Sequence, residues 1–330
     1  MGIRKEPTPE LLEALRALPD AEIARRYRIS RNTLRRWRVE YKIDNPYLES
    51  YGEYARRASG HRERESAVLL ASDLHYGKRT STFDTAVLRR RMDALIPRLQ
   101  RIHDLLSTAY DLDELVVCLL GDVNDGSEIY PTQTHYQEVS DPLRQAWEAA
   151  AYLADWLRRL KRVWRSVRVE AIAGNHGRAG KRVAESASWD LACYHYLALH
   201  LERDGIPVSY AQEGLDPFLR TVTVRGHRFL LYHGHGVRMY QGVPWYGLSQ
   251  RVLRWRAVMG DFAALCCGHF HTYGDMDIAG TRVLLTGTPV TDDSWVLHVL
   301  GGKNANRWHL FGVGDRRPIT WQFGLELVGD

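Results

Sequence analysis

Five apolar, strand-like runs in this chain each end in a short polar cluster, and that repeated order constrains the fold more than any bulk property. The clusters are Asp73-Leu74-His75, Gly121-Asp122-Val123-Asn124-Asp125, Gly174-Asn175-His176, His233-Gly234-His235 and Gly268-His269-Phe270-His271. The runs that lead into them read AVLLASD, ELVVCLLGD, VRVEAIAGN, HRFLLYHG and AALCCGH. Short, nearly continuous apolar runs suit strands covered on both faces. Helical patterns separate the first three: Thr85 to Tyr110 despite Pro97, Pro142 to Trp164, and Ala184 to Arg203. The later third adds LRTVTV, TRVLLTG and SWVLHVL. Early βα units followed by a strand-rich half predict an α/β fold with two sheets stacked face to face and flanking helices. Residues 67–330 are expected to form this domain.

Loops beyond the carboxyl ends of strands are where α/β proteins gather ligands. Sharp turns after strands need residues free of Cβ restraint, which accounts for the glycines in the clusters. Carboxylates, imidazoles and one amide oxygen make the donor set of a dinuclear site for borderline cations such as Mn²⁺, Fe²⁺, Ni²⁺ or Zn²⁺. Two metals about 3.5–4 Å apart can clamp the attacking and leaving oxygens of a phosphate ester. One such cluster is common by chance. Five in one chain, each after a strand, are not.

The order DxH, GDxxD, GNH, HGH, GHxH resembles the calcineurin-like metallophosphoesterases, from Ala67 to about Pro289. The resemblance implies a four-layer α-β-β-α arrangement of two mixed sheets. It also implies that Asp73, His75 and His271 bind one metal, that Asn175, His233 and His269 bind the other, and that Asp122 bridges them. Manganese is the first expectation for both ions, with iron, nickel or zinc as alternatives. A metal-bound hydroxide would attack phosphorus in line, His176 would stabilise or protonate the leaving oxygen, and Asp125 would orient that imidazole. His235 is read as facing the phosphate or supporting the site, not as a ligand. The remaining histidines, His61, His103, His135, His195, His200, His227, His298 and His309, match no motif and are read as structural or exposed. Two positions depart from the family pattern. Gly177 follows GNH where many members carry an acidic residue. Gly126 stands where the protein Ser/Thr phosphatase branch has its phosphate-binding Arg, which argues against a protein phosphatase. Arg178 or Lys181 could supply the missing positive charge. GDVNDG, IYP and GNHGR together are similar to a phage and archaeal, repair-exonuclease-like subgroup.

Residues 1–44 form a different kind of unit. Leu11, Leu12, Leu15 and Leu18 lie at helical spacing in Pro9 to Leu18. Asp20 can cap a second helix, Ala21 to Tyr27, and Ser30 a third, Arg31 to Tyr41, with Leu34 and Trp37 on one face and Val39 and Tyr41 nearby. DAEIARRYRISRNTLRRWR resembles a helix-turn-helix of the transposase and homeodomain-like kind. In it Arg28 stands where many such turns carry Gly. A recognition helix here would expose Arg31, Asn32, Arg35, Arg36 and Arg38. Residues 45–66 read as a polar linker.

Charge agrees with a nucleic-acid partner. Residues 1–66 hold 15 Lys and Arg against 11 Asp and Glu, while the other 264 hold 30 against 29. A local basic excess on a small helical unit favours a polyanion, most commonly DNA or RNA. No apolar run approaches the roughly 18 residues that span a bilayer, and MGIRKEPTPE carries no apolar signal segment. A cytoplasmic protein without a membrane partner is expected, whether cellular or phage-encoded and acting in a host. The four cysteines are expected as buried free thiols, since Cys118, Cys266 and Cys267 sit in apolar runs, Cys193 sits in a helical pattern, and no CxxC occurs. Three functions stand open. The first is a DNA nuclease delivered by the N-terminal unit. The second is a phosphatase or cyclic-nucleotide phosphodiesterase acting on a small molecule, with that unit serving assembly, as a homodimer or with a repair or replication protein. The third is a binding protein with an inactive phosphoesterase domain. The complete ligand set disfavours the third. The neutral charge of the larger domain leaves phosphate affinity to the N-terminal unit.

Overall fold

The computed structural model describes residues 6–43, 62–131, 133–211, 216–240, 243–292 and 303–328. The chain divides into two compact units, Met1–Arg62 and Glu63–Asp330.

Among its described residues the first unit holds the helices α1 (Pro9–Ala17), α2 (Asp20–Tyr27) and α3 (Arg31–Glu40). At the start of α1 the Thr8 hydroxyl accepts from the Leu11 amide at 3.3 Å, and Pro9 takes the first turn, where its missing N–H is no loss. Ser30 caps α3 as expected, accepting from the Thr33 amide at 3.2 Å. The helices share a core of Leu11, Ala14, Leu15, Ile23, Leu34, Trp37 and Ile43. Asp20 is not a cap. It is the first residue of α2, after Pro19, and its carboxylate accepts from Arg38 Nε at 2.8 Å. Arg38 thereby leaves the exposed face expected for it. It is buried, and its guanidinium also donates to the Leu15 carbonyl at 2.6 Å, one of the acceptors left open at the end of α1. Asn32, Arg35 and Arg36 remain exposed, and the side chain of Arg31 lies outside the described residues. Val39 and Tyr41, expected near the core, are exposed instead. Arg28 adopts the left-handed conformation (φ 51°) that glycine usually supplies in such turns.

In the second unit, β1 (Glu63–Ala71), β2 (Tyr110–Leu119), β3 (Ser166–Ala171) and the short β4 (Val208–Ser209) run parallel. The antiparallel strands β10 (Arg307–Gly314) and β11 (Gln322–Glu326) extend this sheet on the other side of β1, giving the order β11-β10-β1-β2-β3-β4. The second sheet has the order β5-β6-β7-β9-β8. Its centre is parallel, formed by β6 (His227–Tyr232), β7 (Ala264–Cys267) and β9 (Thr281–Leu285). Its edges, β5 (Leu219–Val224) and β8 (Gly274–Ile278), are antiparallel.

The alternation of side chains along each strand builds the layers. Ala67, Leu69 and Ala71 of β1 face α4 (Thr85–Leu106), α5 (Pro142–Leu160) and α6 (Trp189–Leu201) in one core, with Met92, Trp156 and Leu197. Val68 and Leu70 face the other way and join Val116, Cys118 and Ile172 against Phe229, Leu231, Cys266 and Leu284 of the second sheet. The outer side of that sheet packs Leu230, Leu265 and Val283 on Leu248 and Val252 of α7 (Trp245–Met259). The result is the expected α/β fold, two mixed sheets stacked between helical layers.

Several boundaries differ from the sequence reading. β1 starts at Glu63, so the end of the expected linker belongs to the sheet, and buried Glu65 accepts from Trp321 Nε1. The helix expected from Ala184 starts only at Trp189, because the Ser188 hydroxyl caps it by accepting from the Asp190 amide. α4 and α5 end at Leu106 and Leu160, short of Tyr110 and Trp164. SWVLHVL, with His298, lies outside the described residues, as do His61 and most of the linker. All four cysteines are free and buried. Among the described residues, no helix is long and apolar enough to cross a membrane.

Candidate metal centre

The five polar clusters follow the carboxyl ends of β1, β2, β3, β6 and β7, and backbone contacts draw their loops together. The amides of Asp73 and His75 donate to the carbonyls of Gly121 (3.1 Å) and Asp122 (2.9 Å), which ties the β1 loop to the β2 loop. His233 joins the second sheet to the first, with Nδ1 2.7 Å from the Leu120 carbonyl. The His269 amide donates to Asp73 Oδ2 at 2.9 Å.

Three groups of donors result among the described residues, of which His75, Asp125 and His176 form one and the other two hold the expected Asp and His ligands. In the first of these two, the ligand atoms of Asp73, His75 and His271 lie within 4.8 Å of one another. His75 Nδ1 lies 3.0 Å from Asp125 Oδ1 and donates to it, so its Nε2 keeps a lone pair. That Nε2 stands 3.2 Å from Nε2 of His271, and Asp73 Oδ1 is 3.4 Å from the same His271 atom. No aligned donor reaches Asp73 Oδ1 among the described residues, although it is fully buried. In the second group, Asp122, His233 and His269 meet within the same limit. His233 gives its Nδ1 proton to Leu120 and turns Nε2 to Asp122 Oδ2 (3.1 Å) and Asn175 Oδ1 (2.9 Å). All seven expected ligands are therefore brought to the site, with Asn175 and Asp122 both beside His233. Asp122 also accepts from the His176 amide at 2.8 Å.

Acceptors meeting acceptors in a buried place are costly unless something positive lies between them. The protein alone can supply only protons. Burial would push the His233 imidazole down, but the charges of Asp122 and Asp73 outweigh it and push it up to about 9. Burial would raise Asp73, but His271 and His233 outweigh that and hold it at about 2. Asp122 stays well below the usual carboxylate range, its burial outweighed first by the charge of His233. Burial and the charge of His233 push His269 down to about 3, leaving it neutral with one ring nitrogen able to accept. Two ionised carboxylates, the neutral His269 and a His233 proton that a cation can displace make a donor set that fits divalent metal.

The backbone is strained where the donors sit. Asp73 (φ 54°), His75 (46°), Asp122 (49°), His269 (68°) and His271 (50°) all occupy the left-handed region. Such conformations cost about 1–3 kcal/mol each outside glycine and gather at functional sites. The glycines escape Cβ restraint in two ways. Gly121 does turn at positive φ (90°), but Gly174 and Gly268 are needed for space. A Cβ on Gly174 would lie 2.0 Å from Asp122 Oδ1, and one on Gly268 would lie 1.9 Å from Ser72 Oγ.

His176 lies at the edge of the site, partly exposed, with its ring 4.6 Å from that of His75. Asp125 is shared. Its Oδ1 is 3.0 Å from His75 Nδ1 but 3.5 Å from His176 Nδ1, so the carboxylate supports His75 more closely than His176. Burial pushes His176 down, but Asp122 and Asp125 outweigh it and raise its pKa. Arg178 is half-buried beside the site and donates from Nε to the Asn175 carbonyl at 3.1 Å, while Lys181 is exposed. His235 packs on Phe218, with ring centroids 4.4 Å apart, near His233 and His269.

Three residues at the site receive no role from the sequence, although Tyr130 lies in IYP. Asp190, buried in the first turn of α6, accepts from the amides of Asn124 (3.0 Å) and Gly174 (2.8 Å) and so joins two ligand loops. It also explains Gly177, whose Cβ would lie 3.0 Å from the Asp190 carboxyl carbon. Gln133 donates to the Asp125 carbonyl and stands 3.2 Å from His176 Nδ1. The Tyr130 hydroxyl accepts from Asn175 Nδ2 at 2.6 Å. A Ser-Trp-Asp sequence and an IYP give no periodic signal for these roles.

No protein-family profile matches the chain, and no curated protein matches it. Solved structures with a similar course of chain include zinc-complexed Vps29 from Entamoeba histolytica (14% identity, 78% of this chain and 98% of that one, TM-score 0.36). An archaeal phosphodiesterase aligns over 78% of this chain and 99% of its own, at 12% identity and TM-score 0.35. A Streptococcus pneumoniae protein described as a predicted phosphoesterase aligns over 79% and 98%, at 10% identity and TM-score 0.29. Scores and identities this low leave the reading of the site to its own donors and their geometry.

Proposed function

We propose that the second unit is a dinuclear metal-dependent phosphodiesterase of the calcineurin-like kind. One observation carries this reading: buried carboxylate, imidazole and amide atoms face one another across 2.9–3.4 Å in two adjoining groups. Divalent ions bound there would polarise a phosphoryl oxygen and acidify water near neutral pH. Asp73, His75 and His271 would hold one ion and Asn175, His233 and His269 the other, with Asp122 between them and manganese the first candidate. Asp125 fixes the tautomer of His75. His176, kept basic by two carboxylates, can hold a proton for the leaving oxygen. Arg178 stands where a phosphate's charge would be felt. The test is metal titration of chelator-stripped protein with Mn²⁺, Fe²⁺, Ni²⁺ and Zn²⁺, followed by turnover of bis(p-nitrophenyl) phosphate. We expect about two ions per chain and turnover that depends on them. Turnover indifferent to chelation, or no binding of any of the four, would sink the reading.

For the first unit we infer a DNA-binding role of the helix-turn-helix kind, which would make the whole chain a nuclease. What supports it is the exposed row Asn32, Arg35 and Arg36 on α3, near the helix start, where such helices reach base edges and phosphates. Changing Arg35 and Arg36 together to Ala should weaken duplex binding by the full chain. The log–log salt slope should fall by about 0.9 for each phosphate that is no longer neutralised. Hydrolysis of a small nitrophenyl ester should stay the same. Arg38→Ala is unsuitable for this purpose, because that guanidinium holds the unit together. Anisotropy titrations showing no DNA affinity, or an unchanged affinity in the double variant, would favour a protein-docking module instead.

A further inference from the structure

The segment between β2 and α5 carries a tyrosine whose placement suits a task beyond packing. Tyr130 is 42% exposed, yet it is held at both ends. Its hydroxyl accepts from Asn175 Nδ2, at 2.6 Å, on the same amide that turns Oδ1 to His233. Its backbone amide donates to Gln133 Oε1 at 3.1 Å, and the Ile129 amide donates to the same oxygen at 3.2 Å. Gln133 is itself buried and bonded to Asp125. The ring leans over His176, with centroids 4.7 Å apart and planes 39° apart. Arg178, bonded to the Asn175 carbonyl, adjoins the same hydroxyl.

A side chain ordered at both ends loses rotamer freedom, and Tyr130 is so held while 42% of its surface stays in solvent. The arrangement leaves one aromatic surface facing solvent, rigid, with its polar tip anchored on a donor of the second group. An aromatic ring in that position can stack on a flat group carried a short distance from the reacting phosphorus. Nucleobases are the common aromatic groups that sit one sugar away from a phosphodiester, and every base offers a π-face.

We propose that Tyr130 is a substrate-binding residue that stacks on the nucleoside of a nucleotide diester, making nucleotide or nucleic-acid diesters the substrate class. The proposal rests on the phosphodiesterase reading above. Tyr130 has a second, positioning role, since its hydroxyl fixes which way the Asn175 amide faces.

The two roles separate in a pair of substrates that share a leaving group. Thymidine 5′-(p-nitrophenyl phosphate) and methyl p-nitrophenyl phosphate both lose nitrophenolate. Water adds to phosphorus and releases a proton to solvent, the bond to the phenolic oxygen breaks, and the phenolate departs without needing a proton. The products differ only in the group left esterified on the phosphate, thymidine 5′-O or methoxy. In the full chain loaded with Mn²⁺, wild type should favour the thymidine ester in kcat/KM. Tyr130→Leu should cut that preference about tenfold, through KM of the thymidine ester, in line with the loss of one base stack. Tyr130→Phe keeps the ring, so the preference should persist while kcat falls about tenfold on both esters as Asn175 loses its partner. Equal turnover of both esters by wild type would overturn the stacking role and leave the phosphodiesterase reading intact. So would an equal loss on both in Tyr130→Leu, or loss of the preference in Tyr130→Phe. Failure to cleave either ester would remove the phosphodiesterase reading itself, and this inference with it.

Discussion

Asp122→Ala is expected to abolish metal-dependent turnover, by about 10³-fold or more, beyond the 10–100-fold typical of residues that only support ligands. The second donor group would lose its carboxylate and keep the neutral donors His233, His269 and Asn175. Two cations brought close without the shared negative charge repel one another. The substitution also removes the acceptor of the His176 amide, so the proposed acid would shift as well. Alanine fits poorly at φ 49°, and Asp122→Asn separates that effect. Asparagine tolerates the left-handed region and can still accept from His176, while lacking the charge. Both variants should bind less metal by elemental analysis, with circular dichroism unchanged. Full metal content and full activity in Asp122→Ala would end the dinuclear assignment.

A single methyl group at Gly174 should be nearly as damaging. Its Cβ would lie 2.0 Å from Asp122 Oδ1 and 2.2 Å from the Asp122 amide nitrogen. Neither atom belongs to a flexible tip, so the carboxylate and its loop must move. A displacement of about 1 Å at a reacting centre can cost about 10²-fold in rate. We expect Gly174→Ala to lose about that much activity and to bind metal more weakly. Gly180→Ala is the matched control. The nearest atom to its Cβ would be Val183 Cγ2 at 3.8 Å, an ordinary contact, and activity should be unchanged. Comparable kinetics for the two variants would show that the close approach of the β2 and β3 loops is not needed.

The donor side chains are legible because each lies just past a strand that is apolar for its own reason. A strand covered on both faces must be rich in Val, Leu and Ala, so its end is marked wherever the polarity changes. The loops past Ala71, Leu119, Ala171, Tyr232 and Cys267 are therefore visible in the chain before any contact is known. The order of the clusters then points to the chemistry. Amphipathic spacing likewise marks Leu34 and Trp37 as core residues of the first unit.

The residues that sequence reasoning misses act through partners far along the chain, where spacing carries no signal. Asp190 meets Asn124 across 66 positions, and Tyr130 meets Asn175 across 45. Arg38 looks like one of a row of surface arginines until α1 and α2 place a carbonyl and a carboxylate against it. The strands β10 and β11 also escape recognition, because the pairing that attaches them to β1 is antiparallel and spans most of the domain.

What the sequence determined by itself is the layered α/β framework and the identity of the donors, because burial periodicity and residue chemistry are local properties. What only the tertiary structure decided is how those donors face one another. Side chains from five loops and two sheets converge because backbone bonds such as Asp73 to Gly121 and His75 to Asp122 pin the loops together. That clamping also sustains the left-handed backbone at five of the seven donors, a strain no local sequence would choose and only a closely packed surrounding can hold.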